Sequence, residues 1–254
     1  MKQIPNLFTL LNLFFGCIAI IFILQNGISI MNGADGQQLF GMPEQIWMAS
    51  IFIALAALVD FLDGFVARLF KATSDKGKQL DSLADVVSFG VAPGMILYQF
   101  LRIGFMREPN GLEISTGWLL PALIFPCAAA YRLAKFNVDS TQQFVFKGMP
   151  SPAAGLLIAS IPLIYWFNKS DLVSQLLLNK WFLYAVILIV SYLMVSNLSL
   201  IALKFNDLSM KSNMPKIILL AITILSAIFF KWLAVPIVFI FYIIISLLFK
   251  NKTT

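Results

Sequence analysis

The stretch 59–93, VDFLDGFVARLFKATSDKGKQLDSLADVVSFGVAP, sets four aspartates, Asp60, Asp63, Asp81 and Asp85, in or beside segments otherwise apolar enough to enter a bilayer. A carboxylate at membrane depth costs at least ~2.5–3.5 kcal/mol on insertion scales. Four of them converging without a counter-charge would be strongly unfavourable, so the pattern calls for something cationic among them. Asp60 and Asp63 are three residues apart and Asp81 and Asp85 four apart, so each pair shares one helix face. Gly64 and Ala67 fall on the first face, Gly77 and Ser88 on the second. Such small residues are expected to let a substrate backbone or phosphate come close. Arg68, Lys71, Lys76 and Lys78 make the connection between the two helices basic.

All-oxygen ligand sets select hard divalent cations, Mg²⁺, Mn²⁺ or Ca²⁺. The chain has no histidine. That excludes a His-containing zinc site and a histidine general base, and leaves a carboxylate as the first choice of base. Four carboxylates exceed what one structural ion needs and suit a two-metal clamp on a phosphoryl group.

Across its 254 residues the chain is 60% hydrophobic and 12% charged. Soluble domains carry about 25% charged residues, so this is an all-α, polytopic integral membrane protein, read as one domain over 1–254. Cys17 and Cys127 lie in apolar segments and support neither a disulfide framework nor a zinc site. The N-terminal apolar run resembles neither a signal peptide nor a lipoprotein leader well, and is expected to be a retained first span reaching about residue 30. Pro5, Asn6, Thr9 and Asn12 form a polar line on it, able to cap a helix or to face a site. Further spans are expected near 47–70, 80–102, 118–137, 152–167 and 181–203, with a loop at 31–46 and an interfacial helical turn near 173–178. The 35 residues of 215–249 are too long for one span and hold Lys231 and Pro236 near their middle, which predicts a hairpin of two helices and about eight spans in all. Thirteen of the 18 Lys and Arg fall on the side that carries both termini and the aspartates, and five on the other. The basic excess puts that side in the cytoplasm.

Asp60-x2-Asp63-Gly64-x2-Ala67-Arg68-x8-Gly77-x3-Asp81-x3-Asp85 resembles the complete signature of the CDP-alcohol phosphatidyltransferases, with all eight defining positions present. The resemblance implies a reaction in which an alcohol attacks the phosphorus attached to the diacylglycerol of CDP-diacylglycerol, and CMP leaves. It implies that Asp60, Asp63, Asp81 and Asp85 hold metal, with Mg²⁺ or Mn²⁺, two ions, expected and Ca²⁺ also fitting as a bound ion. Asp85 is implied as general base too. Asn6, Thr9, Asp63, Gly64, Ala67, Arg68, Ser74 and Gly77 match positions that bind the CDP part, although Ser74 reads equally well as a plain loop residue and Arg68 has a lesser alternative as a topology signal.

The segments RLAKFN (132–137), KGMPSPAAG (147–155) and LMVSN (193–197) resemble the branch of the family whose acceptor is L-serine. At 197–205 the chain reads NLSLIALKF, where that branch commonly carries an Arg-Tyr-Pro-Ser-like run. Arg132, Lys135 and Lys147 are the candidate acceptor-binding residues; each can instead serve only to fix orientation. A homodimer in the inner membrane of a bacterium is expected. Two alternatives stand beside this reading: the same chemistry with glycerol 3-phosphate or an inositol phosphate as acceptor, and an ion-coupled transporter. The second half of the chain lacks the matching acidic cluster that a transporter with inverted repeats would favour.

Overall fold

The computed structural model describes residues 4–25, 29–32, 38–41, 45–69, 74–108, 111–138, 146–201 and 210–249. Helix α1 (Ile4–Leu24) lies along α2 (Ile46–Leu69). Ala19 and Ile23 of α1 and Ala49, Ile53 and Ala56 of α2 are buried, and Phe22 stacks on Phe52 at 5.4 Å between ring centroids. Small residues at helical spacing let the two backbones approach, and close packing rather than water exclusion holds helices together in lipid.

The central element is an unbroken rod from Asp75 to Met106, the most buried of the long apolar helices. It comprises α3 (Asp75–Asp85), one π-helical turn (Val86–Val91) and α4 (Ala92–Met106). Ser74 caps it, its hydroxyl accepting from Gly77 N at 3.0 Å. Three short 3₁₀ turns lead to α5 (Ile124–Val138). A two-residue strand β3 (Phe146–Lys147) precedes α6 (Ser151–Phe167), short α7 (Asp171–Leu177) and α8 (Lys180–Val195). Strand β4 (Ser199–Leu200) pairs antiparallel with β3, and α9 (Met210–Phe230) and α10 (Ala234–Leu248) close the fold. Phe89, Phe100 and Phe125 are the largest fully buried side chains of the core that α4, α5, α6 and α8 share.

By length and composition five helical stretches can cross a membrane, or six if α7 and α8, bent by 62°, count as one broken span; α6 is a shorter apolar helix. The chain is a multi-pass membrane protein. The expected terminal hairpin is present: the chain turns at Lys231–Leu233, and Leu219 and Ile222 of α9 pack on Val238, Tyr242 and Ile245 of α10.

Three expectations are corrected. Helix α1 stops at Leu24, not near residue 30, just before Asn26-Gly27. The expected 31–46 loop instead holds most of an antiparallel pair, β1 (Ser29–Asn32) with β2 (Gln38–Gly41), flanking an Asn-Gly and an Asp-Gly turn signal. Helix α8 ends at Val195 rather than near 203. Ser196 is extended, its hydroxyl donates to Leu193 O at 3.0 Å, and the chain then pairs with β3. Side-chain competition for the last carbonyls and a strand partner end this helix in an apolar sequence.

Candidate active site

Asp60 on α2 and Asp81 and Asp85 on α3 each bring a carboxylate oxygen to within 4.8 Å of the others. The three-residue and four-residue spacings do this, since they turn both pairs toward the groove where α1, α2 and α3 meet. Asp63 stands apart from that trio: it is buried and accepts a hydrogen bond from the Thr9 hydroxyl. One turn further along α1, the Asn12 amide donates to Asp85 Oδ1 at 3.1 Å. Ser88 Oγ in turn donates to Asn12 O at 3.0 Å. The polar line of α1 therefore faces the aspartates and contacts two of them directly.

Ser88 was expected to make room for substrate. It makes room for α1 instead. It is fully buried, and a Cβ added at Gly16 would strike Ser88 Oγ and lie 2.9 Å from Ser88 Cα. Helix-to-helix contact, not an open groove, uses its small size.

The donor set suits a hard cation. Oxygens sharing one ion at 2.0–2.6 Å must lie within about 3–5 Å of one another, and Asp60, Asp81 and Asp85 meet that condition. Among the described residues none of the four aspartates has an ion-pair partner within contact distance; Lys180–Glu108, far from them in the fold, is such a pair. The cluster can hold a divalent metal.

A cavity of about 490 Å³ opens over the trio. Asn6, Thr9, Asp63, Gly64, Ser74 and Gly77 line it together with Asp60 and Asp81. Asp85 lies behind these residues and is buried. Gly77 sits where a Cβ would approach Asn6 Oδ1 to 3.2 Å. The side chains of Ala67, Arg68 and Lys147 lie outside the described part of the structure.

Arg132 and Lys135 go to different places. Arg132 is buried on α5, donates to Ser151 Oγ at 3.2 Å, lies 5.3 Å from the centre of the Phe136 ring, and interacts electrostatically with Asp85. Lys135 donates to Val195 O at 3.2 Å and to Asn197 Oδ1 at 2.7 Å, so its charge sits on the C-terminal end of α8. Asn137 donates to Ser82 Oγ at 2.6 Å, and Lys78 donates to Asn137 O at 3.1 Å, tying α5 to α3. Gly148 has φ +77°, and a Cβ there would meet Met194 O at 2.6 Å and Ser196 O at 2.7 Å. The KGM segment thus packs its backbone on the end of α8, with Met149 N donating to Leu193 O at 2.9 Å. Sequence reasoning missed the Ser82–Asn137 and Arg132–Ser151 links, because serine in an apolar helix carries no pattern of its own.

Membrane helices gathering carboxylates under a cavity define a class: polytopic enzymes with an acidic, cation-binding site. Residues 2–193 match the CDP-alcohol phosphatidyltransferase family, and the chain belongs to that family of transferases. It is 33% identical over 199 residues to the CDP-diacylglycerol–serine O-phosphatidyltransferase of Helicobacter pylori strain 26695, covering 76% of this chain and 70% of that protein. Identity to the protein of the same name from Bacillus subtilis strain 168 is 32% over 167 residues, 65% of this chain and 78% of the relative. A third, from Methanocaldococcus jannaschii, is 42% identical over 106 residues, 42% of this chain and 46% of its own length.

Proposed function

We propose that this protein transfers the phosphatidyl group of CDP-diacylglycerol to the hydroxyl of L-serine, giving phosphatidylserine and CMP in phospholipid biosynthesis. The observation that carries the reading is the Asp60–Asp81–Asp85 trio beneath a cavity lined by the family signature. The names of the relatives support serine as acceptor.

When bound, Mg²⁺ or Mn²⁺, two ions, would neutralise charge on the pyrophosphate as the leaving group departs. Asp60, Asp63, Asp81 and Asp85 would hold them, with Thr9 fixing Asp63 and Asn12 fixing Asp85. Asn6, Thr9, Asp63, Gly64, Ala67, Arg68, Ser74 and Gly77 cradle the CDP end of the donor. Asp85 takes the proton of the serine hydroxyl as that oxygen bonds to the phosphorus bearing diacylglycerol. The bond from this phosphorus to the CMP oxygen breaks, and CMP leaves. Arg132, next to Asp85 electrostatically, is the best-placed described cation for the serine carboxylate, whereas Lys135 is committed to the end of α8. Lys147 completes the acceptor set.

We read the chain as one catalytic domain over 1–254, a homodimer crossing a bacterial inner membrane eight times, with the site and both termini cytoplasmic. The excess of basic residues on that side supports the orientation. The test supplies purified protein with CDP-diacylglycerol and Mn²⁺ and, in turn, labelled serine, glycerol 3-phosphate or inositol phosphate, with products separated by thin-layer chromatography. Phosphatidylserine should form in clear excess. Product from glycerol 3-phosphate but not serine would overturn the acceptor alone; none from any acceptor would overturn the activity.

A further inference from the structure

Lys169 and Lys231 line one cavity of about 360 Å³. It lies at the end of the bundle away from the aspartates. Phe167, in its wall, contacts Trp47 at 5.8 Å between ring centroids, and Trp47 precedes Asp60 on α2 by thirteen residues, a rise of about 20 Å. Apart from Asn168 the remaining wall is apolar, with Ile164 from α6, Phe229 and Phe230 from α9, and Trp232 beyond. Trp232 also contacts Phe167, with 6.3 Å between ring centroids. Clustered Trp and Phe at a helix end mark the level of the membrane–water interface.

Among the described residues the two lysines have no ion-pair partner, neither lying within 4.0 Å of a carboxylate, whereas Lys180, near the same end, is held by Glu108 at 2.7 Å. Two ammonium groups facing one cavity repel each other and favour an anion between them.

An independent observation concerns Lys231 itself. It is the one non-glycine residue with positive φ among the described residues, at 50°. It forms the turn between α9 and α10, where glycine would adopt this backbone without strain. A lysine held in a disfavoured conformation at a cavity wall points to a role for its side chain.

We propose that this cavity binds the phosphate of an anionic phospholipid, in the leaflet away from the aspartate site. Two ammonium groups offer six N–H donors for a phosphate, and the aromatic and aliphatic wall beneath them suits the glycerol and acyl chains. The inference stands apart from the catalytic reading and does not depend on the acceptor.

The experiment uses the full chain, purified and delipidated in neutral detergent, and follows its thermal unfolding and the number of lipids retained in native mass spectrometry. Phosphatidylglycerol is added to one sample, phosphatidylcholine with the same acyl chains to a second, and inorganic phosphate to a third. Phosphatidylglycerol should raise the unfolding midpoint in a concentration-dependent way, and phosphatidylcholine should not. Inorganic phosphate producing the full shift alone would overturn the lipid as ligand. Lys231→Gly keeps the positive-φ turn, so its lipid-free midpoint should equal or exceed that of wild type. Its affinity for phosphatidylglycerol should fall about fivefold, the contribution of one lysine near a lipid surface. Lys169→Gln added to it should remove the response, and Lys231→Arg should retain it. A phosphatidylglycerol response in the double variant equal to that of wild type would overturn the site.

Discussion

Replacing Asn12 tests whether α1 serves only to bind the nucleotide or also aims the base. Its amide lies 3.1 Å from Asp85 Oδ1, and both side chains are buried, so water cannot substitute freely for the lost donor. A hydrogen bond to a charged group contributes about 1.5–3 kcal/mol. If that bond fixes the carboxylate in the transition state, Asn12→Ala should lower kcat about 10- to 150-fold, at about 1.4 kcal/mol per tenfold. The KM for CDP-diacylglycerol should change little, because Asp85 lies behind the cavity-lining residues. Asn12→Asp adds the control: it keeps size and shape but replaces the donor with a second carboxylate, so it should lose more activity than alanine. Gly16→Ala reaches the same bond through the backbone. Its new Cβ would sit 2.9 Å from Ser88 Cα, forcing α1 off the π turn at a stability cost of about 1–3 kcal/mol. CMP release is measured in mixed micelles at varied donor, with thermal unfolding in parallel. A kcat within threefold of wild type for Asn12→Ala, or an Asn12→Asp enzyme better than Asn12→Ala, would refute the positioning role.

Chelation with EDTA should abolish CMP release and Mn²⁺ or Mg²⁺ restore it, while Asp60→Asn and Asp81→Asn should remove both turnover and calorimetric metal binding. Asp85→Asn should retain donor binding and lose turnover at least ~10²-fold, the low end for loss of a general base; robust turnover would refute that assignment. Gly148→Ala should lower stability by about 1–3 kcal/mol, read as a fall in unfolding temperature, because φ is +77° and carbonyl oxygens of Met194 and Ser196 occupy the space for Cβ. In a cysteine-free background, Lys76→Cys and Val145→Cys should resist an impermeant thiol reagent in intact cells while Gln38→Cys reacts; the reverse pattern would invert the orientation.

The sequence made the aspartate faces legible because a charged residue in an apolar helix has few tolerable places, and spacings of three and four leave one face to share. Asn6 and Thr9 stood out only through the family resemblance, since polar residues near a helix start suit a cap equally well; both line the cavity. Helix ends were harder. A water-soluble helix shows a polar face that fades at its end, but α1 and α8 are apolar nearly all round, so Ile28 and Ile30 beyond Gln25-Asn26-Gly27, and Leu198 to Leu203 beyond Ser196-Asn197, read as continuation. The end of α8 depends on a strand partner distant in sequence, Phe146–Lys147, whereas α1 is followed by a local hairpin. Lys135 looked like an acceptor ligand because a basic residue at a helix end suits either role; only the third dimension shows it spent on Val195 O and Asn197. The assignment of Asp63 to Thr9, apart from the other three carboxylates, was likewise invisible to spacing.

The π turn carries no sequence pattern, yet it explains how Asp85 is held. Three consecutive residues, Ser88, Phe89 and Gly90, are all buried, which requires neighbours on several sides of the rod. Each meets a different helix. Ser88 meets α1 at Gly16; Phe89 meets α6 at Gly155, where a Cβ would come within 3.0 Å of Phe89 Cα; and Gly90 meets α5 at Ala129. Wider turns of this kind recur at functional sites, and here the turn begins one residue after Asp85. The carboxylate therefore sits on the segment of the rod gripped by three helices at once. The cavity rests on α1, α2 and the N-terminal end of α3, whereas Arg132 on α5, the residue proposed above for the acceptor, is tied to Ser151 at the start of α6. A shift of any of these helices reaches Asp85 through the residues that follow it on the rod, so packing rather than a loop sets the position of this carboxylate.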